Sequence, residues 1–256
     1  KTDAYFEGWY YADGTRLAYR NAIFEDGTVT ARYNSSYDGT EEHPVPISSV
    51  EELYLFWENV NQYGEIGLCA KLINDIVLNE GTFDADGNYS DGTAVEWTPI
   101  GTYEAPYTGT FDGAGHTIRG LYTNSSDDYQ GLFAKLENAT VKALTVTGYI
   151  EGDDYVGAIA GEAIGTTSIS SCRSECTIKG DDNIGGIVGE SYDSVVIRDC
   201  YNAGEIRGDG DISGIVGDAN DNTIIENCHN TGAITSDDDD IGGIAGVIYD
   251  NVIVRN

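Results

Sequence analysis

Cys172, Cys200 and Cys228 stand 28 residues apart, in "SISSC", "VIRDC" and "IIENC". The segments "VGAIAG", "IGGIVG", "ISGIVG" and "IGGIAG" begin at Val156, Ile184, Ile212 and Ile241, in steps of 28, 28 and 29. "YIEGDD", "IKGDDN", "IRGDGD" and "ITSDDDD" keep the same phase. A fixed period of this size over four copies specifies a solenoid, in which each copy packs on its neighbours. Helical repeats need amphipathic runs of roughly ten residues. Here each unit is rich in β-branched residues and glycine and breaks every five to eight residues, which is the mark of strands and turns. The spacing therefore predicts an all-β chain: a right-handed parallel β-helix of about 28 residues per turn, three short strands to the turn. Successive turns stack about 4.8 Å apart.

In such a stack, Cys172, Cys200 and Cys228 form an inward ladder of small apolar side chains, a place where free cysteine behaves as a hydrophobe. The other two cysteines are Cys69 and Cys176. An odd number without a CxxC pair argues against a disulfide framework and against zinc. Gly185, Gly186, Gly189, Gly214, Gly217, Gly242, Gly243 and Gly246 fall where a coil turns a tight corner or where turns approach closely. Upstream the repeat weakens. Gly131–Ile150 reads as an earlier turn, with Val141 and Leu144 in the phase of Ile169 and Cys172. "GTFDGAGHTIRGL" reads as a more irregular one, with Phe111 and Ile118 inward.

A coil needs its ends covered. Ser49 with Glu52 makes a capping box, and Leu53, Phe56, Trp57 and Val60 follow at helical spacing. This predicts a helix at about 49–61 lying over the first turn of a β-helix that spans 47–256. At the other end "NVIVRN" repeats "NTIIEN" and stops one residue short of the next cysteine position, so an exposed last turn is expected. Lys1 opens in mid-pattern without a charged-then-apolar leader, and the chain reads as a fragment of something longer. Residues 1–40 have no echo at the 28-residue period, and their runs around "DGT" read as a small appended β segment.

The net charge of −31, with a pI near 4.1, repels nucleic acid. No apolar run reaches the roughly 20 residues of a membrane span, and no membrane insertion is expected. An aromatic fraction of 11% argues against disorder despite the charge.

Two stretches resemble known families. "KTDAYFEGWYYADGT" followed by "FEDGTVTARY" resembles the second half of a Listeria–Bacteroides repeat, the internalin-type B repeat. "ISSVEEL", "LCAKLINDIVL", "YTGTFDGAGHTIRGL" and the repeated "GGIVG" resemble the β-helical regions of bacterial surface proteins that carry GLUG motifs. That resemblance implies an extracellular or cell-surface setting, as in adhesins and in large secreted immunoglobulin-A-cleaving metallopeptidases. The HExxH zinc motif of those peptidases is absent, so no catalytic residue carries over.

Five groups of residues invite a functional reading. Asp153, Asp154, Asp181, Asp182, Asp209, Asp211, Asp237, Asp238, Asp239 and Asp240 fall at one phase of four turns. Carboxylates about 5 Å apart repel by about 0.9 kcal/mol per pair in water. Either the acids splay into solvent or cations sit between turns, and calcium, which takes carboxylate and carbonyl oxygens, is the one candidate ion. Asp84, Asp86 and Asn88 alternate as in calcium loops, but the glycine stands at the wrong position and the run reads as a surface loop. Arg207-Gly208-Asp209 is one variant of a corner that is otherwise "KGD" or "EGD". Asp112 and His116 could serve a carbohydrate-active enzyme, yet as corner residues of a coil they need no such role. Trp9, Tyr10, Tyr11 and Tyr19, with Tyr33, could offer a sugar-stacking face or simply form a small core.

The expectation is a monomeric, non-enzymatic surface module, a rod for display or an adhesin, meeting a host or environmental surface ligand such as a glycan. The alternatives are a polysaccharide lyase or glycoside hydrolase, and an accessory region of a secreted peptidase.

Overall fold

The computed structural model describes residues 5–11, 13–14, 29–34, 37–236 and 240–256. Among these, one helix precedes a parallel coil of short strands. Each regular coil has four β segments, one more than the spacing predicts. In the coil that follows residue 139 they are Thr140–Lys142 on a first wall, Thr145–Glu151 on a second, Val156–Gly157 on a third and Ala160–Gly165 on a fourth. The additional segment arises because "VGAIAG" bends in its middle, which splits one apolar run between two walls.

Stacking is parallel and in register. On the first wall Ser168–Ser170 pairs with Val196–Arg198, which pairs with Ile224–Glu226, which pairs with Ile253–Arg255. This wall is eight strands deep. The early coils are irregular: Thr110 lies beside Thr140, 30 residues on, and Ala70 beside Phe111, 41 residues on. The longer circuit accommodates the loop around 81–92, which folds over the second wall and stacks Phe83 on Tyr122, centroids 4.9 Å apart.

Every coil sends the same kind of side chain inward. Phe111, Val141, Ile169, Ile197 and Ile225 form the first-wall column, and Ile150, Ile178 and Ile206 the second-wall column. Cys172, Cys200 and Cys228 are free and buried, one above the next. Their sulfurs repeat one environment, near the carbonyls of Ser170, Arg198 and Glu226 at 3.4, 3.2 and 3.3 Å. Hydrogen bonding along the column raises the pKa of Cys200, chiefly through Cys172, and of Cys228, chiefly through Cys200.

The glycines do the second of the two things expected of them. The left-handed residues at the bends after the first wall are Ala114, Ala143, Ser171, Asp199 and Asn227, with φ between 51° and 55°. The repeat glycines are instead sites of close approach. A Cβ on Gly185, Gly186 or Gly242 would meet the carbonyl of Val188, Gly214 or Ala245.

The helix Val50–Asn61 begins at Ser49, whose side chain accepts from Glu52 N–H at 3.3 Å. The return bond is displaced by one residue: Glu52 accepts from Ser48 N–H at 2.7 Å and from its hydroxyl at 2.6 Å. Leu53, Phe56, Trp57 and Val60 are buried, and Phe56 packs on Tyr107 and Phe111 at 5.9 and 5.7 Å, which seals the first coil. At the opposite end Ile241, Ile248, Ile253 and Val254 are exposed, as an open last coil requires. In the preceding segment Tyr5–Tyr11 pairs with Val29–Asn34 antiparallel.

Candidate functional site

The corner between the second and third walls gathers the predicted aspartates. Asp153, Asp154 and Asp181 each bring a carboxylate oxygen within 4.8 Å of the others. Burial and then the charges of Asp128, Asp153, Asp182 and Asp181 raise the pKa of Asp154. The corner reaches one coil higher than the sequence phase suggests, because Asp153 N–H donates to Asp127 O at 3.1 Å. Asp182 ties two coils together, accepting from the N–H groups of Asn183 and Asp211 at 2.8 and 2.9 Å. Asp211 is pushed up to about 6 by burial and by Asp182, Asp218 and Asp240. Asp209 lies on the corner, with its N–H donating to Asp181 O at 3.1 Å. Asp237, Asp238 and Asp239 lie outside the described residues.

Beside that corner, on the fourth wall, a charged column appears that the repeat pattern alone does not single out. Lys135, Glu162, Glu190 and Asp218 occupy one register position on four successive coils. Lys135 and Glu162 form an ion pair at 2.8 Å with side chains only 10% and 5% exposed. Glu190, half-buried, is pushed up to about 7 by desolvation first and by Glu162 and Asp218 next, against Lys135 and the Asn220 amide. Asp218 is buried and also raised, by desolvation and by Asp182, while Asn220 offsets part of the shift. Its Oδ1 is enclosed without a hydrogen-bond partner. The signal is present in "IAGE", "IVGE" and "IVGD", where an acid follows each repeat glycine at the 28-residue step.

Tyrosines line the same flank. Tyr129 and Tyr155 stack at 4.7 Å with ring planes 4° apart, and Tyr103 lies 5.2 Å from Tyr129. Lys135 Nζ sits 4.3 Å over the Tyr103 ring.

The other candidate residues separate. His116 Nδ1 lies 3.1 Å from Asp75, whereas Asp112 pairs with Lys142 at 3.6 Å, so Asp112 and His116 do not act as a pair. Asp84 accepts from Asp86 N–H and Asn88 N–H at 3.0 and 2.9 Å, an ordinary turn. Arg207 is held by Glu205 at 2.9 Å and by Asp86 at 3.6 Å. Tyr10 has the Arg32 guanidinium 4.0 Å over its ring, and Tyr11 is half-buried on the same strand. Tyr19 and the side chains of Trp9 and Tyr33 lie outside the described residues.

A pair of stacked asparagines, Asn202 buried and Asn230 half-buried, is a further feature that sequence reasoning misses. Asn202 and Asn230 bond each other at 2.9 Å, and each bonds the glycine two residues on through both its C=O and its N–H. In sequence they look like plain turn residues.

No protein-family model matches the chain. It is similar to halomucin of Haloquadratum walsbyi, 34% identical over 164 residues, which covers 58% of this chain and 2% of that protein. Its structure is similar to that of a candidate immunoglobulin A1 protease from Bacteroides ovatus, with a TM-score of 0.55 at 17% identity, covering 85% of this chain and 77% of that one. At that identity the likeness is one of fold alone. The chain is thus a parallel β-solenoid of the kind that protein contains, and no helix among the described residues is long and apolar enough to cross a membrane.

Proposed function

We propose that this chain is a rigid, non-enzymatic module of an extracellular surface protein, serving display or adhesion. The observation that carries the reading is the first wall, eight strands deep, paired coil on coil in register. Hydrogen bonds then run along the coil axis, and one hydrophobic cluster runs through the interior from coil to coil. Such a body holds a distant partner at a fixed distance. The −31 charge suits an exposed, highly hydrated surface. The halomucin similarity and the GLUG-like and B-repeat-like motifs support a surface setting. In this reading a host or environmental ligand such as a glycan meets the flank, the module works as a monomer, and calcium at Asp153, Asp154 and Asp181 stiffens the corner.

Small-angle scattering with and without calcium, beside a glycan array, tests it. A monomeric elongated particle whose melting midpoint rises with millimolar calcium and falls with chelator is expected. A compact or oligomeric particle sinks the rod reading, and an unchanged midpoint ends the calcium part.

A second reading is a carbohydrate-active enzyme. It is favoured by carboxylates on adjacent coils, at a spacing near the roughly 5 Å that retaining glycosidases use, with Glu190 pushed up to about 7. Against it, Glu162 and Asp218 are buried and Lys135 already holds Glu162. Release of reducing ends from a polysaccharide panel, abolished by Glu190→Gln, would establish the enzyme.

A further inference from the structure

The fourth wall poses a charge problem separate from the corner. Its column runs Lys135, Glu162, Glu190, Asp218, and the next coil places Val247 at the same register. One ammonium faces three carboxylates. Lys135 is committed to Glu162 at 2.8 Å, inside the protein surface. Once both are ionised, above the Glu190 titration, two negative charges remain on Glu190 and Asp218, on adjacent coils about 4.8 Å apart. Among the described residues no second basic group acts on them: the groups that bear on Glu190 are Glu162, Asp218, Lys135 and Asn220, and those on Asp218 are Asn220 and Asp182. Asp218 is 8% exposed; the Asn220 amide serves its carboxylate, and its Oδ1 is enclosed without a hydrogen-bond partner. A buried acceptor left in that state forfeits its hydration without compensation, and the penalty grows when it is charged. The neighbouring corner adds acids and no relief, since the charge of Asp182 bears on Asp218 and that of Asp218 on Asp211.

What completes the column must be positive and must accept oxygen ligands. The cysteines belong to the core, so soft donors are absent from this flank. Asn220 stands between the two acids, with its Nδ2 3.4 Å from Glu190 Oε1. Calcium tolerates an irregular set of six to eight oxygens, whereas magnesium demands a tight octahedron. The coil spacing is fixed by backbone pairing, which favours the more tolerant ion.

We propose that Glu190 and Asp218, with Asn220 beside them, form a wall site for a hard divalent cation of the calcium class, bridging two coils where Lys135 bridges the two above. The site is distinct from the Asp153, Asp154 and Asp181 corner, and it does not rest on the rod reading. Its effect is to staple the fourth wall from coil to coil.

Calcium titration calorimetry of the whole chain, at a pH above the Glu190 titration and followed by thermal melts in calcium and in chelator, tests the proposal. Glu190→Gln and Asp218→Asn keep shape and remove charge. Each is expected to lose one bound ion or to weaken it at least ~10-fold, as affinity follows ligand charge count. Each is also expected to lose its share of the calcium-induced rise in midpoint. The double variant Asp153→Asn, Asp181→Asn is expected to keep that share. If Glu190→Gln and Asp218→Asn respond to calcium as the unmodified chain does, the wall site is overturned. If the unmodified chain ignores calcium and Glu190→Gln alone raises the midpoint in chelator, the two acids share a proton and no ion belongs there. Should a wall variant fail to fold, tyrosine-sensitised terbium emission from the Asp153→Asn, Asp181→Asn chain decides. Emission displaced by calcium upholds the site, and its absence overturns it.

Discussion

The thiols and amides inside the coil make their contributions through position. All five cysteines are buried, so none presents an accessible sulfur, and burial pushes the Cys176 thiol up. A disulfide-exchange reagent should therefore titrate no thiol in the native chain and all five after unfolding; fast labelling of Cys172, Cys200 or Cys228 would contradict the ladder. Asn202 is the more costly residue to lose. Its amide satisfies both backbone groups of Gly204 and bonds Asn230, so Asn202→Ala should destabilise by about 2 kcal/mol or more, read from urea melts. The two columns differ in how far the sequence reveals them. Cysteine is rare and its interval stands out. Asparagine in "YNAG" and "HNTG" is indistinguishable from a turn residue until the coil is built and the side chain is seen to face inward. The left-handed bends are hidden for a related reason: Ala143 and Ser171 occupy them beside Asp199 and Asn227, so no single residue type marks the site. Non-glycine residues can hold that conformation because the stacked coils above and below impose it.

At the level of elements, the helix and the strands are readable for different reasons. Ser49, Glu52 and an apolar stripe announce Val50–Asn61 locally. The strands announce themselves only by recurrence, and recurrence gives the phase of a coil without the number of its sides. That is why the spacing predicts three strands where four segments occur. The fourth wall's acids are equally legible as a 28-residue series, yet an acid after a glycine reads as a solvated turn. Only the ion pair of Lys135 with Glu162 and the enclosed Asp218 oxygen distinguish them. The helix matters as a lid. Phe56 is fully buried between Tyr107 and Phe111, and Phe56→Ala should cost about 3–5 kcal/mol, with the loss of cooperativity appearing first in the early coils by hydrogen exchange.

At the scale of the whole molecule, Glu190 and Asp211 contribute a pH dependence opposite to the usual one for acids. Glu190 rises from 4.5 to about 7 on folding and Asp211 from 3.8 to about 6, so the folded chain binds more protons than the unfolded one in between. The stability these groups contribute is complete below about 4 and is lost as the pH climbs through about 7. Without divalent cations the melting midpoint should fall over that window, and Glu190→Gln should flatten the upper part of the fall. A midpoint that is level from 4 to 7 in both proteins would remove Glu190 from the account. The corner that carries Asp153 and Asp154, Asp181 and Asp182, Asp209 and Asp211 has a consequence beyond any single ligand. Two carboxylates per coil of about 4.8 Å amount to one charge per roughly 2.4 Å of ridge. Two unit charges in water attract or repel by one RT at about 7 Å, so the ridge is some three times denser than thermal motion can leave bare. It therefore behaves as a short polyelectrolyte that gathers monovalent counterions along its length, and in an electric field the chain will migrate as a slightly weaker anion than its formal −31 implies.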